Sequence, residues 1–127
     1  MTHPYRILLI NGASDDHWHT LVERIAETYG ALTIGSAATA PALLAEGRYA
    51  VIIIDASVVE QVPQLIRRIH TQQPYARIVV ATASPSWQGA RAAFLAGAFD
   101  YTVKSLCYDD LAGVVAAAID APPPPCR

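Results

Sequence analysis

The chain has 127 residues, 53% of them apolar and 16% charged, with a net charge of −2. That length suits one three-layer domain and is too short for a separate effector domain. No apolar stretch approaches the roughly 20 residues that span a bilayer, the start lacks a basic-then-apolar signal pattern, and no basic cluster exceeds Arg67-Arg68. The expectation is therefore a lone cytoplasmic module with no membrane contact and no direct nucleic-acid binding. Cys107 and Cys126 lack metal-ligand spacing and read as two free thiols.

Arg6 to Ile10 is a short apolar run closed by Asn11-Gly12, a first strand followed by a turn. A helix is predicted to start at Ser14 or Asp15, with serine as cap and Asp15 and Asp16 at the positive end of the dipole. Trp18, Leu21, Val22, Ile25 and Ala26 recur on one face of it, and Gly30 supplies the stop. A weak strand follows over Ala31 to Gly35. Pro41 suits a first turn, Ala42 to Ala45 continue a short helix, and Gly47 ends it before a strand over Tyr49 to Ile54. Within that strand, Val51-Ile52-Ile53-Ile54 is a continuous β-branched run, the habit of a strand buried on both faces of a parallel sheet, and it ends abruptly on Asp55.

The stretch from Val62 to His70 places Leu65, Ile66 and Ile69 on one helical stripe, with Arg67 and Arg68 outward. Pro74 precedes a fourth strand, Arg77 to Ala81, which ends on Thr82. Ser86 to Ala96 is an alanine-rich helix stopped by Gly97, and Asp100 to Val103 is a fifth strand ending on Lys104. Asp109 and Asp110 open a last helix over Leu111 to Ile119. Residues 121–127, Ala-Pro-Pro-Pro-Pro-Cys-Arg, read as extended polyproline, a free end or the stump of a linker. Five β-α repeats with right-handed crossovers give an α/β fold, a (βα)5 flavodoxin-like three-layer sandwich over residues 1–120 with parallel strand order 2-1-3-4-5. Ligands and chemistry collect at the carboxyl edge of such sheets. Here that edge receives an acid, a hydroxyl and an ammonium: Asp55, Thr82 and Lys104.

Asp55 after an apolar third strand, Thr82-Ala83 after the fourth, Ala96-Gly97-Ala98-Phe99-Asp100-Tyr101 at the end of the fourth helix, and Lys104 after the fifth strand come in a specific order and spacing. Over residues 5 to 120 the chain thereby resembles the CheY-like receiver domain of two-component response regulators. The resemblance implies that Asp55 is a phosphoacceptor, that Thr82 and Lys104 bind and neutralise the phosphoryl group, and that Tyr101 is an aromatic switch following Thr82. It implies a signalling switch with at most slow phosphotransfer chemistry, fed by a sensor histidine kinase or phosphotransfer protein. Such a switch reads out to an effector protein or domain through the fourth helix, fifth strand and fifth helix, and the family leaves room for a homodimer. The chemistry suits these residue types, because the transition state spreads charge over three equatorial oxygens and fixed donors and cations stabilise it.

The sequence departs from the pattern at the metal site. The family's Mg2+ is held in part by an acidic pair after the first strand, and Asn11-Gly12 stands there. Asp55, Asn11, the Ser57 carbonyl, and Asp15 or Asp16 folding back over the rim are the candidate ligands, and Mg2+ is expected to bind weakly. With Asp55 and Lys104 as the charged groups, the rim is near neutral without metal. Unit charges about 4 Å apart interact by about 4 kcal/mol at an effective dielectric near 20, so the two are expected to pair directly. Val58-Val59-Glu60 replaces the family's Met-Pro-Gly, and Lys104-Ser105 replaces a lysine followed by cis-proline, so a trans peptide is expected there.

Other readings compete. Capping preferences favour Asp15 and Asp16 as cap and first-turn acids over metal ligands, the two roles not being exclusive, and His17 and His19 beside them read as a solvated helix start, since residues two apart do not share a helical face. Trp18 and Trp87 are expected near the rim. Asn11-Gly12 supports an alternative in which the chain is a phosphorylation-independent pseudo-receiver, a protein-protein interaction module. A flavin- or cobalamin-binding module is disfavoured, because the first loop lacks a hydroxyl-rich phosphate cradle.

Overall fold

The computed structural model describes residues 5–11, 17–57, 59–104 and 107–120. Its elements run β1 (Tyr5–Ile10), α1 (His17–Tyr29), β2 (Gly30–Gly35), α2 (Ala40–Glu46), β3 (Val51–Asp55), α3 (Val62–Gln72), β4 (Arg77–Thr82), α4 (Trp87–Ala96), β5 (Asp100–Val103) and α5 (Tyr108–Asp120). The five strands form one parallel sheet in the order β2-β1-β3-β4-β5, as the repeat pattern predicts. Gly12, Ser14, Asp15, Asp16, Val58, Ser105 and the proline-rich tail with Cys126 lie outside the described residues. The expectations for the first helix cap, the acceptor loop, the Lys104-Ser105 peptide and the tail fall there. No described helix is long and apolar enough to cross a membrane.

The strand period of two divides the core into two layers. Leu8, Ile10, Ile52, Ile54, Ile78 and Val80 face α2, α3 and α4, where Leu44, Leu65, Ile66, Ile69, Ala93 and Ala96 meet them. The alternate residues Ile7, Leu9, Val51, Ile53, Val79 and Ala81 face α1 and α5, against Trp18, Leu21, Val22, Ile25, Leu111 and Val115. Every residue of β3 is buried. Each large aliphatic side chain so buried contributes about 1.5–3 kcal/mol relative to exposure.

Element ends differ from the sequence expectation for identifiable reasons. Tyr49 lies outside β3 because its N–H donates to the Gln73 side-chain oxygen at 2.9 Å and not to a strand. Gly30 is not only a helix stop, since it already pairs with Tyr5 in β2, where a Cβ would press on the Tyr5 carbonyl. Thr39 and Ser36 exchange hydrogen bonds ahead of α2, which therefore begins at Ala40. Asp109 and Asp110 fall inside the first turn of α5, which starts at Tyr108. Ser86 caps α4 by accepting from the Gly89 N–H at 3.0 Å, and Gly97 ends it at φ 119° in the left-handed region.

At the amino-terminal edge of the sheet, the buried amide of Gln73 ties three segments together. Besides accepting from Tyr49, it donates to the carbonyls of Leu44 and Gly47. Gln73→Ala leaves those groups without their partner and should lower stability by about 2–3 kcal/mol. Urea denaturation measures this, and a loss under about 0.5 kcal/mol contradicts the assignment.

Candidate functional site

Four strand ends build the opposite edge. Asp55 closes β3 and pairs in register with Ala81 of β4, and one step beyond the Ile10–Ile54 pair sets Asn11 beside it. The Asn11 N–H donates to the Gly35 carbonyl at 2.9 Å, and the Ala56 N–H donates to the Ala81 carbonyl at 2.9 Å, so the backbone remains anchored past the last strand residues. The Lys104 N–H donates to the Thr82 carbonyl at 2.8 Å, which fixes the root of the lysine side chain on β4. The pleat that turns Val51 and Ile53 toward α1 and α5 turns Asp55 the same way.

Both carboxylate oxygens of Asp55 are engaged. Oδ1 accepts from the Ser57 N–H at 3.0 Å and from the Ser57 hydroxyl at 2.6 Å. Oδ2 accepts from Lys104 Nζ at 3.0 Å. The Asp55 side chain is only 1% exposed and that of Lys104 12%. A carboxylate this deep requires a partner, because removing one member of a buried pair costs about 3–5 kcal/mol. The direct pairing expected from the missing acids is thus present.

The ammonium has a second neighbour. Lys104 Nζ stands 4.8 Å from the centroid of the Trp18 ring, a cation–π contact worth about 0.5–2 kcal/mol according to its desolvation. Trp18 is 2% exposed and packs in the α1–α5 layer. Its Nε1–H has no hydrogen-bond partner among the described residues. Trp87, by contrast, stands 72% exposed at the start of α4.

Asn11 is buried, and its amide nitrogen lies 2.8 Å from His19 Nδ1. His19 Nε2 in turn lies 3.0 Å from Glu23 Oε1. With the Nε2–H tautomer, Asn11 donates to the ring and the ring donates to Glu23. His19 is therefore not the solvated side chain that the helix-start reading expects. Sequence spacing missed the Asn11 contact because that partner stands just past β1, not on the helix. His17 is exposed, and among the described residues no group of three or more His, Cys, Asp or Glu could hold a metal.

The remaining two rim residues hold local contacts. Thr82 is buried, and its hydroxyl accepts from the Ser84 N–H at 3.1 Å. Tyr101 is half-buried, packed against the α2–α4 layer, and its hydroxyl accepts from the Ser86 N–H at 3.3 Å. A Cβ on Gly89 would approach that hydroxyl to 2.7 Å, so glycine there gives the tyrosine room at the start of α4. Asp55, Thr82 and Lys104 are brought to one edge, and Tyr101 connects that edge to α4. Cys107 is exposed at the start of the last segment and forms no disulfide among the described residues.

No protein-family model and no curated protein matches the sequence. Solved structures match over nearly the whole chain. A response regulator from Thermotoga maritima superposes with a TM-score of 0.82 at 20% identity, covering 95% of this chain and 100% of that one. The chain has the receiver-domain fold. The Mn2+-bound form of the response regulator Rcp1 matches with a TM-score of 0.74 at 20% identity, covering 96% and 100%. An atypical orphan response regulator, described as having a phosphorylation-independent regulatory mechanism, matches with a TM-score of 0.75 at 17% identity, covering 90% and 94%. Metal-bound and phosphorylation-independent proteins thus share this receiver fold.

The energetic weight of the rim pair is measurable. Lys104→Met should cost about 3 kcal/mol, whereas the double variant with Asp55→Asn should regain most of that loss, because no buried charge remains unpaired. A urea-denaturation double-mutant cycle with a coupling below about 0.5 kcal/mol contradicts a structural ion pair.

Proposed function

We propose that the chain is a receiver-type switch of two-component signalling that works as a protein-interaction module and is set by partner binding instead of phosphoryl transfer. The observation that carries this reading is the Lys104–Asp55 pair closed beside a neutral Asn11. A switch that cycles with Mg2+ and phosphate needs an acceptor oxygen open to a donor and carboxylates to hold the metal. Here Asp55 is satisfied internally by Ser57 and Lys104, and Asn11 is directed to His19.

The described donor set does not fit Mg2+ in this arrangement. The ammonium already lies against Oδ2, and a divalent ion beside it adds like-charge repulsion without a second described acid at the strand ends. The readout surface suits a protein partner. Trp87, Phe94 and Leu95 of α4, Val103 of β5 and Tyr108 of α5 are large apolar residues exposed on those three elements, a composition that suits interaction surfaces. An effector domain or a second copy of the chain, in the cytoplasm, fits that role.

A second reading keeps Asp55 as phosphoacceptor. It is favoured by one observation, the convergence of Asp55, Thr82 and Lys104 at one edge with Tyr101 at the adjoining start of α4. It requires Lys104 to follow the incoming phosphoryl group, with a histidine kinase or phosphotransfer protein as donor. Intact mass after incubation with acetyl phosphate and millimolar Mg2+ separates the two. The proposal predicts no phosphoryl mass gain and no response to beryllofluoride. A single phosphoryl adduct that disappears in Asp55→Asn overturns it in favour of the second reading.

A further inference from the structure

We propose that Trp18 is a positioning residue for Lys104, its indole face and Asp55 together forming a fixed seat for the ammonium. This deepens the reading of a rim closed without metal by naming the device that keeps it closed. Lys104 Nζ is held between Asp55 Oδ2 at 3.0 Å and the indole centroid at 4.8 Å. The carboxylate alone fixes one direction of approach. The ring behind it restricts the long, flexible lysine stem to a single placement.

Two features single out this contact. The other inward residues of α1 are the aliphatic Leu21, Val22, Ile25 and Ala26, and the Trp18 Nε1–H is buried without a partner among the described residues. Nothing in the hydrogen bonding there calls for an indole, and a leucine or phenylalanine would fill core space with no orphaned donor. What the indole adds is the strongest aromatic face for a cation. The second feature is the cation itself. Lys104 is the one lysine of the chain, all other long cationic side chains being arginine. A compact ammonium fits between one carboxylate oxygen and a ring face, whereas a guanidinium seeks a planar fork.

The seat has a consequence for signalling. Trp18 is anchored among Ile7, Leu9, Ile53 and Leu111 in the α1–α5 layer. Whatever draws Lys104 off Asp55 must also lift it from the indole. Opening of the rim is thereby coupled to α1 and not only to the strand ends.

The single lysine makes the test direct. In full-length protein labelled with 13C at lysine Cε, one side-chain signal reports Lys104. Its methylene protons should lie upfield of a free lysine through the indole ring current, should keep part of that shift in Trp18→Phe, and should lose it in Trp18→Leu. Acylation of Lys104 by an amine-selective reagent, read on its peptide by mass spectrometry, should accelerate about tenfold in Trp18→Leu and far less in Trp18→Phe. A purely packing role for Trp18 would move melting temperature without separating leucine from phenylalanine in these readouts. Leucine and phenylalanine variants that behave alike overturn the proposal. If Trp18→Leu fails to fold by circular dichroism, the native signal decides: a methylene at the free-lysine position overturns it. That outcome leaves the acetyl phosphate result, and the reading it tests, untouched.

Discussion

A carboxylate at the end of a fully buried strand must be neutralised, and most of the rim follows from how this chain does it. β3 carries its apolar run straight into Asp55, which is buried outright. Water cannot solvate the charge, so the protein must provide a cation and donors. Ser57 provides donors to one oxygen from two residues along the chain, and Lys104 provides the cation to the other from the far side of β4. The lysine reaches its place because the Lys104 N–H is fastened to the Thr82 carbonyl.

Where an acidic pair would draw a metal into such an edge, Asn11 carries no charge, and its amide turns to His19. The internal cation then has no competitor among the described strand-end residues. Trp18 backs the ammonium with an aromatic face, so both directions from Nζ, toward the sheet and toward α1, are occupied. Among the described residues, the Asp55 charge is thereby balanced by Lys104 at this edge. The edge adjoins Tyr101 of β5, whose hydroxyl accepts from the Ser86 N–H at the cap of α4.

The architecture was legible in the sequence because its signals are local and repeated. The Val-Ile run of β3, the leucine and isoleucine stripe of α3 and the Ser86 and Gly97 boundaries of α4 each express one period or one cap, and each stands where expected. The pairing of Asp55 with Lys104 was legible too, since it needed only those two residues at the ends of β3 and β5, one strand apart. What the sequence concealed were contacts between elements. Nothing in the spacing of His17 and His19 points to Asn11, six and eight residues earlier in the chain. Trp18 shows as a core residue of α1 by periodicity, but the placement of its ring against Lys104 depends on the lysine reaching back from the end of β5 to Asp55. Gln73 belongs to no motif or period in the sequence, yet its amide holds the Tyr49 N–H ahead of β3.

The central claim is that Lys104, and not a divalent ion, closes the Asp55 edge. The most direct measurement is an NMR titration of the full-length protein with Mg2+ into the millimolar range, following the backbone amides of Asn11, Ser57 and Lys104 with the single lysine side-chain signal. The account predicts that these resonances stay in place, with no saturable change. Saturable shifts at Asn11 and Ser57, accompanied by release of the lysine signal toward its free position, would show a metal displacing Lys104 and contradict the account.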